Sequence, residues 1–128
     1  MNWLLVASGG AIGASLRYGL GLLIHRPHSL FPWSTWSINI LGCCVAGIFF
    51  ALSQRFPVLQ QEARLLLMVG ALGGFTTFSS FGLETFQLLR QGQFGLALLY
   101  SISSVLVGVL VFALGFYLTQ FCCNGKTF

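Results

Sequence analysis

The chain has 128 residues, 56% of them hydrophobic and 6% charged, with a formal net charge of +4. A soluble domain carries about 25% charged residues, so these few charges cannot cover a water-soluble globule, and an integral membrane protein is expected. A spanning helix needs about 20 mostly apolar residues, which leaves room for a single domain of four spans with short loops and nothing soluble beside them.

The six basic and two acidic residues are scattered singly. With no basic run and no interleaved basic and aromatic patch, nucleic-acid binding is not expected. A mild cationic bias suits an anionic lipid surface or an anionic permeant. Four cysteines fall in two adjacent pairs, Cys43–Cys44 and Cys122–Cys123. Zinc sites want C-x-x-C-like spacings with matching partners, so the pairs read as small membrane residues.

The first span is predicted at 3–24. Its start, "MNWLLVASGGAIGAS", lacks the basic n-region of a signal peptide and runs on past a normal apolar stretch, so it is read as retained. Gly9, Gly13, Arg17 and Gly21 recur every four residues, along one helix face. Small residues at this spacing let helices approach closely in lipid. Arg17 is costly inside a span and is expected to face protein or water, with snorkelling to the headgroups as the alternative. The loop "HRPHSLFPW" follows. Trp3, Trp33 and Trp36 fall near the predicted interfaces, where aromatic belts sit.

The second span is predicted at 35–53. Thr35 and Asn39 are four apart and share a face. An asparagine at mid-membrane must find partners, and its amide offers two donors; interhelical bonding is the plain reading. The connection "QRFPVLQQEA" reads as a turn and the start of a helix.

The third span, 63–90, contains "GALGGFTTFSSFGLETF" (70–86). Gly73-Gly74 followed by Thr76-Thr77 is poor helix material, and glycine pairs are a known cause of helix breaks. Non-helical backbone at membrane depth survives only inside protein or along a watery cavity. Two half-helices are therefore predicted, with a break near 73–77 and freed carbonyls that are potential cation ligands. Beyond it, Thr77, Ser80 and Glu84 form a polar stripe. Phe78 and Phe81 lie on an adjoining face. An aromatic ring has a positive rim, so two rings turned edge-on are able to line an anion path with no fixed charge; core packing is the competing reading.

After a glycine turn, "RQGQF", the fourth span is predicted at 95–121. Tyr100 and Ser104 are four apart, with Gly108 next along that line. Their hydroxyls either donate to an anion or bond back to their own helix. No repeat and no low-complexity tract is evident.

Three stretches, "GGAIGASLRY" (9–18), "TWSINILG" (35–42) and "GALGGFTTFSSF" (70–81), resemble the signatures of the Fluc (CrcB) fluoride channels. The resemblance covers the whole chain in length, span count and motif order. It implies a four-helix subunit, all α, that pairs antiparallel in dual topology. Each such homodimer has two pores and passes fluoride passively across the bacterial inner membrane, giving fluoride resistance. The resemblance assigns the pore to Phe78, Phe81, Asn39, Arg17 and Thr35, with a polar track of Ser80, Glu84, Tyr100 and Ser104. It places a central structural sodium ion on the carbonyls of Gly73 and Thr76. Gly108 departs from the pattern, since some members carry a serine there.

The alternative is a small proton-coupled multidrug exporter. That function wants a carboxylate deep in the first span, and none is present. A purely structural subunit would leave the clustered polar faces unexplained. For an enzyme there is no nucleophile–base pair, metal-ligand cluster or phosphate loop, and His25 and His28 sit in a proline-rich loop.

Overall fold

The computed structural model describes residues 1–125. Lys126, one of the six basic residues, lies outside them. The described residues are helical throughout, joined by short loops. The first helix runs Asn2–Ile24, the second Trp33–Arg55, and the last Phe94–Asn124. Between them the third span is assembled from three pieces, Arg64–Leu72, Gly73–Phe75 and Phe78–Arg90. A 3-10 turn, Pro57–Gln60, fills the second connection. Three stretches are long and apolar enough to cross a membrane: Trp33–Arg55, Arg64–Arg90 and Phe94–Asn124. The first helix has the length, but its serines, glycines and Arg17 dilute its apolarity.

Glycines set the helix spacing. A Cβ on Gly13 would collide with the carbonyl oxygen of Ala71, and one on Gly9 with that of Leu66. Gly74 in turn abuts the backbone of Gly10 and Ala14. The first helix therefore lies directly on the first half of the third span, backbone to backbone. The second and last helices cross in the same way, with Gly47 on the Phe112 carbonyl and Gly115 on that of Cys44. Such close approach is how helices gain packing contacts in lipid, where burial from water contributes little.

The cysteines belong to this packing. All four are free thiols. A Cβ at Gly108 would come within 3.3 Å of Cys43 Sγ, so Cys43 fills the room that a serine at 108 would need. The indole N–H of Trp36 donates to Ser103 Oγ of the last helix at 3.0 Å.

The third span breaks at Thr76–Thr77, the C-terminal end of the predicted window. Both residues are extended, with ψ of 155° at Thr76 and 121° at Thr77. Gly73 and Gly74 stay helical; Gly74 serves close packing on the first helix and does not break the chain. Ahead of the break, Arg64–Leu72 is wound as a π-helix, a form that is rare and concentrated at functional sites. The glycine turn behaves as read. Gly92 has φ of 74°, its N–H donates to the Leu89 carbonyl, and that of Gln93 to the Leu88 carbonyl. This is the Schellman closure that glycine permits.

Candidate functional site around the break in the third span

A helix interrupted at Thr76–Thr77 must find other partners for its backbone groups. In a continuous helix the N–H of Thr77 would donate to the Gly73 carbonyl and that of Ser80 to the Thr76 carbonyl. Neither does so here. Thr77 N–H donates to Asn39 Oδ1 at 2.9 Å, and Ser80 N–H to Thr77 Oγ1 at 3.2 Å. Thr77 is thus the side-chain cap of the second half. The amide of Asn39 returns the bond, donating Nδ2–H to the Thr77 carbonyl at 3.1 Å. The diverted bonds release the carbonyls of Gly73 and Thr76.

Two cavities meet at this seam. Asn39, Gly73, Thr76, Phe78, Phe81 and Ser104 all line one of about 510 Å³. Arg17, Thr35 and Ser80 line a second of about 480 Å³. Thr77 lines both. Nine of the predicted site residues therefore surround one interruption, although they come from all four spans.

The two rings stack. Phe78 and Phe81 have centroids 5.5 Å apart and planes 28° apart, so their rims turn nearly the same way. Phe78 is 82% exposed on the single chain, while Phe81 is half-buried and leans on Tyr100 at 5.1 Å.

The remaining predicted residues form a tight acid site one turn further on. Glu84 Oε1 accepts from Thr35 Oγ1 at 2.7 Å, and Glu84 Oε2 accepts from the Tyr100 hydroxyl at 2.7 Å. Each carboxyl oxygen thereby has its own hydroxyl donor. Glu84 also opens on a third cavity of about 290 Å³ beside His25, Arg26 and Gln87.

The polar hydrogens divide into committed and free. Those of Thr35 and Tyr100 are held by Glu84. Ser104 bonds back to the Tyr100 carbonyl at 2.6 Å. Asn39 spends one amide hydrogen and keeps the other. Ser80 accepts from Thr77 Oγ1 at 3.2 Å and donates to no group among the described residues. Arg17, half-buried, likewise makes no hydrogen bond or ion pair among them; it faces the cavity that holds Ser80.

Thr77 is the residue that the sequence reading undervalued, placing it in the stripe but not among the site residues. A threonine directly ahead of a fresh helical run is an N-cap signal, and that signal is present.

Known proteins resemble this chain along nearly its full length. The chain is 50% identical to a protein from Thermus thermophilus over 118 residues, 91% of this chain and 94% of the relative. It is 46% identical to one from Methylobacillus flagellatus over 120 residues, covering 91% and 93%. A third, from Phocaeicola vulgatus, is 42% identical over 118 residues, covering 91% and 97%. All three bear the name fluoride-specific ion channel FluC. The family described as "CrcB-like protein, Camphor Resistance (CrcB)" matches residues 4–116, and the chain, a multi-pass membrane protein, belongs to that family.

Proposed function

We propose that this chain is a fluoride-selective channel, not an enzyme, through which fluoride leaves the bacterial cell passively across the inner membrane. The observation that carries the reading is the seam between Asn39 and Thr77. It sets an uncharged donor and two stacked rings on one cavity at a helix break, in a chain 42% to 50% identical to proteins with that name.

The chemistry suits a small, strongly hydrated anion. Fluoride gives up its water only if donors replace it. The spare amide hydrogen of Asn39, the hydroxyl of Ser80 and the rims of Phe78 and Phe81 supply them without a fixed positive charge. A deep electrostatic trap would hold the ion, whereas conduction needs favourable entry with easy exit. Arg17 raises local anion concentration in the adjoining cavity. Thr35, Glu84, Tyr100 and Ser104 continue the polar track beyond the rings. Neutral HF formed in acid surroundings crosses the bilayer and ionises inside, and the membrane potential, negative inside, then drives the anion out.

The same break suits a structural sodium ion. Hard cations take oxygen ligands, and Gly73 and Thr76 offer the two carbonyls whose helical N–H partners are bound elsewhere. Gly73 is exposed on the single chain, so a second copy has access to it. Two copies related by a two-fold axis in the membrane plane would bring four such carbonyls around one point. This antiparallel homodimer, inserted in both orientations, would own two oppositely directed pores.

The exporter alternative finds less support. It needs a free intramembrane carboxylate, and Glu84 has both oxygens engaged by hydroxyls. Purified protein in liposomes decides the matter. Fluoride efflux is expected with valinomycin and potassium and without a proton gradient. Equal chloride efflux, or dependence on a proton gradient, would overturn the channel.

A further inference from the structure

Tyr100 is wholly buried, 0% exposed, and carries one of the two hydroxyls on Glu84. Where that hydroxyl lies depends on the tilt of the ring's long axis, from Cβ to Oη, because spinning the ring about that axis leaves the oxygen in place. Two rings from different parts of the chain fix the tilt. Phe81, just after the break, meets Tyr100 at 5.1 Å between centroids with planes 41° apart. Phe31, in the loop ahead of the second helix, meets it at 5.5 Å and 87°, edge to face. Phe31 is itself set by Trp33 at 4.6 Å, whose ring also carries the Arg26 guanidinium at 5.7 Å. The Trp33 N–H bonds to the Phe31 carbonyl at 2.9 Å, and Pro32 between them has a ring-locked φ. A row of rings thus runs from the loop to the cavity: Trp33, Phe31, Tyr100, Phe81, Phe78.

We propose that Phe31 is a positioning residue for ion passage, one that touches no ion but holds Tyr100, and through it Glu84, at the working geometry of the polar track. The inference rests on the fluoride reading above. An edge-to-face pair prefers one angle because a positive rim sits on a negative face. An aliphatic side chain of similar bulk fills the space and prefers no angle. With leucine at 31, Tyr100 samples tilts at which its hydroxyl leaves Glu84 Oε2, and Glu84 then rests on Thr35 alone. Both groups pay for the lost partner, because a buried polar atom without a hydrogen bond is costly. The loop therefore tunes a path that it does not line.

The test is fluoride efflux from liposomes carrying wild type, Phe31→Leu, Phe31→Tyr, Tyr100→Phe, or the Phe31→Leu/Tyr100→Phe double variant. Phe31→Leu is expected to lower flux about fivefold, the loss of one ring pair expressed as a rate. Phe31→Tyr keeps the ring, has a cavity of about 290 Å³ beside it for the added hydroxyl, and is expected to restore flux. In the Tyr100→Phe background, Phe31→Leu is expected to change flux by less than about twofold, because the hydroxyl it positions is already gone. A residue that merely supports the fold would multiply its loss onto that of Tyr100→Phe. Such multiplication, or wild-type flux in Phe31→Leu, overturns the proposal. Phe31→Met replaces a Phe31→Leu variant that is not monodisperse; loss of the fold with both also overturns it, by making Phe31 a residue of the fold. Absence of fluoride flux in the wild type would instead count against the channel reading itself.

Discussion

The side chain of Asn39 and the backbone of Thr77 hydrogen-bond each other twice, at 2.9 Å into Oδ1 and 3.1 Å from Nδ2. The second helix thereby supplies Thr77 N–H with the acceptor that the preceding turn, at Gly73, would have supplied in a continuous helix. The exchange needs an acceptor and a donor on one short planar group, which among side chains of this size only a carboxamide provides.

Asn39→Asp tests that requirement. A carboxylate keeps the acceptor for Thr77 N–H but sets an oxygen against the Thr77 carbonyl, and it has no hydrogen for an anion. The expected cost is about 1–3 kcal/mol of stability from the unpaired carbonyl, together with a loss of fluoride flux. Flux in liposomes and thermal denaturation in detergent measure the two effects. Wild-type values of both would return Asn39 to ordinary interhelical bonding.

Phe78→Ile and Phe81→Ile separate ring electrostatics from bulk. Isoleucine fills much of the same space and has no positive rim. Each variant is expected to remain folded and to lose most of its fluoride flux, with Phe81→Ile also loosening Tyr100, which it contacts at 5.1 Å. Well-folded variants with undiminished flux would assign both rings to packing.

Much of this site was legible because hydroxyl, amide and ring residues stand out in an oily chain. Thr35, Asn39, Phe78, Phe81 and Tyr100 were found by helical spacing and residue type, and the break by its threonines and glycines. Pairwise partners were not legible. That Glu84 takes one hydroxyl from the second helix and one from the last depends on how the helices cross, and no local pattern encodes this. The glycine pair misled for a related reason. Weak helix propensity at Gly73-Gly74 is real, but Gly74 lies against the backbone of the first helix, and close packing outweighs propensity. The π winding of Arg64–Leu72 leaves no trace in its apolar residues.

Glycine packing gives a paired stability test. A methyl at Gly13 would run into the Ala71 carbonyl, whereas one at Gly19 meets nothing within 4 Å. Gly13→Ala must push the first helix off the third span, costing about 1–3 kcal/mol as overpacked sites do. Gly19→Ala is expected to be neutral or slightly stabilising, since alanine is the better helix former by about 1 kcal/mol. Thermal unfolding in detergent reads both, and equal melting temperatures would refute the tight seam.

The sodium proposal has a readout apart from transport. Binding to the folded state alone raises stability as the ion concentration rises. The melting temperature is therefore expected to climb with sodium at constant ionic strength, and less with lithium or potassium, which fit the same oxygen shell differently. A melting temperature indifferent to the choice of cation would remove the ion from the released carbonyls of Gly73 and Thr76.

The dual topology proposed above rests on how weakly the loop charges vote. Orientation is set mainly by lysine and arginine in the loops. With the N-terminus inside, the inner side holds Arg55, Arg64 and Lys126 and the outer side Arg26 and Arg90, three against two. That bias is too small to fix a direction. Opposite insertion of two copies would set their Thr76–Thr77 breaks face to face, which is what one shared sodium and two opposed pores both require. The measurement is a single cysteine, His28→Cys, in an otherwise cysteine-free chain, probed in intact cells with a membrane-impermeant maleimide. His28 is exposed in the loop between the first two helices, so its side of the membrane reports the orientation of the whole subunit. Roughly half the protein is expected to label from outside and the rest only after permeabilisation, as a near-balanced charge count predicts. Labelling from one side alone would establish a single topology, and the shared sodium and the paired pores would lose their basis together.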